Sequence, residues 1–268
     1  MEDDLSEASI RRALTGRFGA PLRCLDEVGS TNTVALRWAA EEGAPEGALV
    51  VTEHQTEGRG RWGRRWLSQP GKLLQFSLIL SPDLAGDDVG LLTTALGVAC
   101  ARGIETCTGL AARVKWPNDV TIGGRKVSGI LVESVLSGGA IQTAVAGVGI
   151  NVRWDQDEIP PDIAARATSI DRELGSSGGA PPRRAELLGA ILAALEELYP
   201  FGDPDAVIRE ALTRSDVIGT KVSIRYPGGG TVSGRAVGLA PSGALRLEVD
   251  GEVREIKVGE VEHTAPGS

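Results

Sequence analysis

The sequence predicts an α+β chain in which a large mixed unit is followed by a small all-β unit. Three observations carry this. Val89 to Thr106 has the length and small-residue content of a long buried helix. Arg113 to Val152 reads as successive β segments broken by Gly123-Gly124 and Ser137-Gly138-Gly139, the composition of hairpin turns. After Val217 the texture changes to short β runs separated by Gly228-Gly229-Gly230, Pro241-Ser242-Gly243 and Asp250-Gly251, as in a small barrel. A boundary near Asp216 therefore divides the chain into residues 1–216 and 217–268.

The remaining elements follow from spacing and punctuation. Leu5, Ile10 and Leu14 give helical spacing from Leu5 to Arg17, and Pro21 to Val28 reads as a short strand. Ser30-Thr31-Asn32 opens a helix that runs through Trp38 to about Glu42, with Gly43 as its C-cap. Ala48 to Glu53 and Leu73 to Leu80 are apolar and β-compatible. Pro160-Pro161 and Gly175 to Pro182 are loop-like. Arg184 to Leu198 forms an amphipathic helix and Asp205 to Thr213 a shorter one. Lys221–Arg225, Thr231–Leu239, Ala244–Val249 and Val253–Val258 are the strands of the barrel.

Composition bounds the function. A chain of 268 residues, 41% hydrophobic, is long enough for a sizeable core, and with only 4% aromatics that core is aliphatic. Acidic groups outnumber basic ones 36 to 28, so general nucleic-acid binding is excluded and no DNA partner is expected. Any positive potential is local. Cys24, Cys100 and Cys107 have no paired spacing, which fits a reducing, cytoplasmic setting. No apolar run is long enough to span a membrane, and the acidic start Met1-Glu2-Asp3-Asp4 lacks a signal-peptide core. Two histidines without metal-ligand spacing give no structural zinc site.

Local positive charge is concentrated in Gly58-Arg59-Gly60-Arg61-Trp62-Gly63-Arg64-Arg65-Trp66. Arginines clamp carboxylate and phosphate oxygens in a planar fork, and glycines let backbone amides approach a ligand. The stretch lacks the Gly-Lys-Ser/Thr ending of a P-loop, so anion contacts must come from its arginines. Read alone, it is either an anion clamp or a solvated basic turn. Four neighbouring arginines repel one another, so the loop is expected to be mobile or open until an anion binds.

Further clusters tilt the choice toward a clamp. Lys115-Trp116-Pro117-Asn118-Asp119 would present Asn118 and Asp119 at a strand end, either as a tight turn or as ligand contacts. Lys126 enters the apolar strand Val127–Val132, where it either snorkels to the edge or places its ammonium between two anions. Ser128-Gly129 beside it leaves room for a ligand. Gly147-Val148-Gly149-Ile150-Asn151 ends another apolar strand, and Asn151 offers a donor and acceptors to a purine edge or phosphate. Ser30-Thr31-Asn32 is a helix N-cap or a set of hydroxyls and amides for a small polar ring, and Gln55 is a further neutral hydrogen-bonding group.

In this order these segments resemble biotin protein ligases, from about Val28 to the C-terminus. The resemblance implies a mixed-sheet, class II synthetase-like catalytic domain and a C-terminal SH3-like barrel. It implies activation of biotin by ATP to biotinyl-5′-AMP, then transfer to a lysine of a biotin carboxyl carrier protein of acyl-CoA carboxylases. Lys126, Arg61 and Arg59 would be catalytic. Ser30, Thr31, Asn32, Gln55, Gly58, Arg59, Gly60, Arg61, Lys126 and Gly129 would bind biotin. Arg61, Arg64, Trp66, Asn118, Lys126 and Asn151 would bind ATP, with Trp66 stacked on adenine. Asp119 would help hold the Mg2+ that accompanies ATP. Only about 27 residues precede Val28, too few for the DNA-binding domain that many bacterial members carry, so a monofunctional ligase is expected, as a monomer or homodimer. Lipoate–protein ligase is the near rival; the complete arginine loop and the Lys-Trp-Pro-Asn-Asp segment favour biotin.

Overall fold

The apolar run Leu73–Leu80, buried at every position, forms β3 in the middle of a seven-stranded sheet. The computed structural model describes residues 4–154, 158–175 and 178–263. Ser176 and Ser177 of the expected loop, and residues 264–268 at the end of the expected barrel, lie outside the described residues. So does most of the acidic start, residues 1–3.

The sheet is built from β1 (Leu22–Val28), β2 (Leu49–Gln55), β3, β4 (Ala112–Lys115), β5 (Asp119–Ile122), β6 (Arg125–Ser137) and β7 (Ala140–Asn151). Their spatial order is β1-β2-β3-β7-β6-β5-β4. β1 and β2 are parallel and every other pairing is antiparallel. A parallel pair needs a crossover, which α2 (Thr31–Glu42) supplies. Gly43 ends α2 in the left-handed conformation, as its C-cap position requires.

Alternate residues along a strand face opposite sides, and the sheet uses both. Leu49, Val51, Leu78, Leu80 and Ala146 join the main core. That layer contains α3 (Val89–Thr108), which packs on α6 (Arg184–Leu198) and α7 (Pro204–Thr213), with α1 (Glu7–Ala13) against α6. The intervening Val50, Ile79 and Val145 pack with Ala35 and Trp38 of α2. Gly103 of α3 has no room for a side chain, since a Cβ there would lie 2.4 Å from Ile191 of α6.

The helix expected from Leu5 to Arg17 is shorter, because Ser6 caps it through the Ser9 amide (3.3 Å) and Leu14 is already extended. A short helix, α4 (Pro161–Ala164), forms where loop was expected at Pro160-Pro161, and α5 (Ile170–Gly175) ends where the expected loop Gly175 to Pro182 begins; a proline at the first helical position has no amide to lose.

The C-terminal strands β8 (Lys221–Arg225), β9 (Thr231–Leu239), β10 (Leu245–Val249), β11 (Glu252–Ile256) and β12 (Glu260–His263) form an antiparallel five-stranded SH3-like sheet, ordered β11-β10-β9-β8-β12. β12 was not anticipated: its four residues carry no strong β pattern, and pairing with β8 makes the strand. Val222, Ile224, Ala236, Leu245, Leu247 and Val261 belong to the same apolar cluster as α3, so the barrel leans on the larger unit. Trp116 donates its indole N–H to the Gly243 carbonyl (3.1 Å), and Lys257 reaches Asp87 (2.7 Å).

Candidate active site

The loop from Gly58 to Trp66 closes on itself. The Trp66 amide donates to the Gly58 carbonyl (2.8 Å) and the Gly60 amide to the Arg64 carbonyl (2.7 Å). A Cβ on Gly58 would come within 2.5 Å of the Trp66 carbonyl, so glycine is required there. The turn itself uses left-handed backbone at Trp62 (φ 58°) and Gly63 (φ 72°). A bulky residue in that region is strained. What holds Trp62 is charge: the guanidinium carbons of Arg61, Arg64 and Arg225 lie 5.2, 5.9 and 5.5 Å from its ring. Arg225 belongs to β8, so this tryptophan joins loop to barrel.

The loop is not held open by its own charge, contrary to expectation. Each arginine finds a partner within the chain. Arg59 pairs with Glu133 of β6 (2.7 Å). Arg61 donates to the Gly259 carbonyl (3.0 Å) and to Asn118 Oδ1 (3.4 Å). Arg64 pairs with Glu260 of β12, and Arg65 donates to the Thr56 carbonyl (2.9 Å). The carboxylates that quench the repulsion come from β6 and β12, remote in sequence from the loop. Burial pulls the Arg61 pKa below the usual guanidinium range, reinforced by Arg64 and opposed by Glu260 and Asp119. A guanidinium remains charged under any such shift, so Arg61 is a fixed, partly desolvated cation.

Opposite the loop, Lys126 Nζ lies 2.5 Å from Asp119 Oδ1 across the β5–β6 pair. It also sits 5.5 Å from the centre of the Trp66 ring. That ring lies over the glycines of two neighbouring strands. A Cβ at Gly149 would stand 2.4 Å from it, and one at Gly129 would stand 2.9 Å away. The pair Gly129↔Gly149 is in register across β6 and β7, so both glycines clear the same spot. Asn118 ties the end of β5 to β6 through its amide, donating to the Ile130 carbonyl (2.8 Å). Asn151 donates to the Thr168 carbonyl (2.9 Å), while its Oδ1 is buried without a partner, as is the indole N–H of Trp66. Both groups are therefore free to bond a ligand.

A second polar cluster lies at the start of α2. Ser30, Thr31, Asn32 and Gln55 are all buried. Ser30 occupies the N-cap position, yet its hydroxyl makes no capping bond. Gln55 Oε1 accepts from the Thr31 amide (2.8 Å) and hydroxyl (3.2 Å). Asn32 is fully committed. Its Oδ1 accepts from Ser77 (2.6 Å), and its Nδ2 donates to the Leu131 carbonyl (3.1 Å) and Glu133 (2.8 Å). Gly147 beneath it cannot bear a side chain, since a Cβ would lie 2.2 Å from Asn32 Oδ1. Asn32 thus anchors the cluster to β6 and β7, with its amide turned to the sheet.

Sequence reasoning missed several residues here. Gln75 and Ser77, both fully buried, complete the cluster around Gln55 and Asn32. Their signal was present as two polar residues at alternate positions of the apolar run Leu73–Leu80. Nothing local marks Glu133, Glu260 or Arg225. Asp119, the expected magnesium contact, is ion-paired with Lys126. Among the described residues no group of three or more His, Cys, Asp or Glu is placed to hold a metal ion. The cysteines are free, and burial pushes the Cys100 thiol up to about 12, which leaves it unreactive.

The closed arginine loop faces a lysine-bearing strand on a mixed sheet, the arrangement expected from the resemblance to biotin protein ligases. Comparison with known proteins narrows the class. The family model described as the Biotin/lipoate A/B protein ligase family matches residues 25–151, and that for the Biotin protein ligase C terminal domain matches residues 217–264. The bifunctional ligase/repressor BirA of Bacillus spizizenii is 36% identical over 264 residues, covering 96% of this chain and 79% of that one. A biotin--[acetyl-CoA-carboxylase] ligase of Mycobacterium tuberculosis is 34% identical, covering 97% and 96%. Among solved structures, the biotin protein ligase from Aquifex aeolicus in complex with biotin and ATP superposes with a TM-score of 0.68 at 31% identity, covering 90% and 97%. The chain belongs to the biotin protein ligase family.

Proposed function

We propose that the chain activates biotin with ATP as biotinyl-5′-AMP and then transfers the biotinyl group to a lysine of a biotin carboxyl carrier protein. The observation that carries this reading is the position of Lys126, whose ammonium stands beside the Gly129 clearing, next to Asp119 and under the Trp66 ring. The Aquifex aeolicus ligase, solved with biotin and ATP, supports both substrates.

In the first step a carboxylate oxygen of biotin attacks the α-phosphorus of ATP. The bond from that phosphorus to the bridging oxygen breaks, and pyrophosphate leaves with the electron pair. The obstacle is contact between two anions, which at ~4 Å repel by about 4 kcal/mol at an effective dielectric of about 20. A fixed cation between them lowers that barrier. Lys126 bridges the carboxylate and the α-phosphate, and Asp119 aims it. Arg59 and Arg61 hold the biotin carboxylate and the adenylate, and Arg64 exchanges Glu260 for the departing phosphates. Gly58, Gly60 and Gly129 give the ligand backbone clearance. Ser30, Thr31 and Gln55 pair with the neutral ureido ring, with Asn32 fixing the floor behind them. Asn118 and Asn151 face the nucleotide, and Trp66 stacks on adenine. Magnesium would enter with ATP, held mostly by phosphates and water, and Asp119 would be its protein contact. In the second step a neutral lysine amine of the carrier attacks the acyl carbon and AMP leaves.

Residues 1–216 form the catalytic domain, and the barrel from 217 to 268 backs the loop and helps dock the carrier. The test is incubation with biotin, Mg-ATP and a carrier domain, read by intact mass. One biotinyl group added to the carrier, inhibited by desthiobiotin and not by octanoate, is the expected result. An octanoyl or lipoyl adduct would replace this reading with a lipoate ligase.

A further inference from the structure

We infer that His54 is a positioning residue for the ureido pocket, and that a proton on its ring weakens the hold on the biotin head group. The inference rests on the assignment of Gln55 to that pocket.

The proton of the Thr31 backbone N–H is fixed in place. It points at Gln55 Oε1 (2.8 Å), so the oxygen of the Gln55 amide is identified and its nitrogen faces the other way. Gln55 Nε2 lies 2.9 Å from the Gln75 side chain, which must therefore present its own oxygen. The Gln75 nitrogen is then left facing Ser68 Oγ at 2.8 Å. Ser68 Oγ also accepts from the Gln55 backbone N–H at 3.0 Å. A hydroxyl has one proton and accepts two. With both acceptor positions filled, Ser68 must send its proton to its remaining neighbour, His54 Nδ1, at 3.1 Å. His54 Nδ1 is thus an acceptor. In its neutral form the ring therefore carries its hydrogen on Nε2.

The direction of every bond in this chain has a consequence at its far end. Gln55 offers a ligand one remaining N–H, and that N–H stays aimed only while Gln75 and Ser68 keep their places. A proton on His54 Nδ1 presents Ser68 with a third donor. The hydroxyl proton loses its acceptor, and one of the bonds to Gln55 or Gln75 must break. Gln75 is fully buried and Gln55 nearly so, so a broken bond there leaves a donor with no water to replace it. The charged groups on neighbouring elements are Asp26 and Glu27 of β1, where Glu27 is the register partner of His54; Glu53 on β2, held by Arg184; and, on the segment carrying Ser68, Glu57, Arg59, Arg61, Arg64, Arg65 and Lys72. Among the described residues the imidazole's side-chain hydrogen bond is to Ser68.

The test uses the full chain and biotinamide, whose head group is that of biotin and which has no carboxylate to titrate. Affinity is measured from about pH 8 to about pH 5, the interval in which histidine side chains change charge. The wild type is expected to weaken with falling pH, approaching tenfold per unit, the limit for a single coupled proton. His54→Asn places an amide oxygen near the Nδ1 position and should bind with a flat profile. His54→Phe removes the acceptor and should bind about tenfold more weakly at pH 8, also flat, equivalent to about 1.4 kcal/mol. A wild-type slope that persists in His54→Asn, or His54→Phe binding as tightly as wild type, overturns the inference. Should a variant fail to fold, 15N spectra of the wild type decide alone. The chain has two histidines, and His54 must show a bare Nδ1 and a protonated Nε2 at pH 8. The opposite tautomer overturns the proton chain. Absence of biotinamide binding at every pH, with the expected tautomer present, overturns instead the assignment of the pocket.

Discussion

Lys126 is the residue on which the proposed chemistry turns, and the structure explains how a lysine is tolerated there. Its side chain is about one-third exposed, paired with Asp119, and covered on one side by Trp66. Lys126→Ala removes the bridging cation without opening the apolar core, since Val127 and Ile130 carry the packing. Pyrophosphate release should fall at least about a hundredfold, the scale of losing one charge-stabilising group, in a chain that still folds. Near-normal release from a folded Lys126→Ala chain would refute the role. Gly149 is the complementary position. Gly149→Ala puts a methyl group 2.4 Å from the Trp66 ring and must displace it. Isothermal titration should show ATP binding weakened about tenfold with biotin binding preserved, at a stability cost of about 1–3 kcal/mol. Equal losses for both ligands would mean that Trp66 does not serve the nucleotide.

At the scale of elements, the ligand loop behaves as a strap between the sheet and the barrel. Arg61 is its central tie, reaching Gly259 and Asn118. Arg61→Gly should still form the adenylate, because Lys126 is untouched, but release it early. Escaped adenylate acylates any lysine it meets, so biotinylation of a bystander such as albumin reports the leak. Unchanged adenylate dissociation in this variant would sink the idea. A different element, α6, is fixed through Arg184, which is almost fully buried and paired with both Asp4 and Glu53. Burial pushes the Asp4 carboxyl up, but hydrogen bonds from Arg184 and Arg153 outweigh it, leaving the carboxyl below its ordinary value of 3.8. A depressed folded-state value means that Asp4 stabilises the fold above 3.8 and loses that contribution as pH falls through the lowered value. Asp4→Asn should therefore cost about 1–3 kcal/mol at neutral pH, measured by urea unfolding, and the gap should narrow in acid. A gap that widens on acidification reverses the sign and the explanation.

At the scale of the whole molecule, the barrel is not a passenger. It contributes the Gly259 carbonyl and Glu260 to the loop, Arg225 to Trp62, and the Gly243 carbonyl to Trp116. A chain ending at Asp216 should bind biotin, whose proposed ureido pocket lies between α2, β2 and β3, yet lose most transfer to the carrier. Equilibrium dialysis and intact-mass assays separate the two, and full transfer by a soluble truncated chain would rule out a role for the barrel. No helix among the described residues is long and apolar enough to cross a membrane.

Much of the architecture was legible because local rules agree with the fold. Leu73–Leu80, the α2 start at Thr31 with Gly43 behind it, the hairpin glycines and Arg184–Leu198 all formed where period, cap and turn chemistry put them. Of the site, the sequence determined which residue types were on offer: the arginines, Lys126, Asn118, Asn151, and the hydroxyls and amides near Ser30. What only the tertiary structure decided was how they are paired. Arg59 meets Glu133, 74 residues away, and Arg61 meets Gly259, 198 residues away. Hydrogen bonds and ion pairs act over a few ångströms, while register and packing bring together residues that no local pattern relates. The same reason hid β12, which is a strand only because β8 lies beside it, and Gln75, whose two bonds join Gln55 to Ser68 and so to His54.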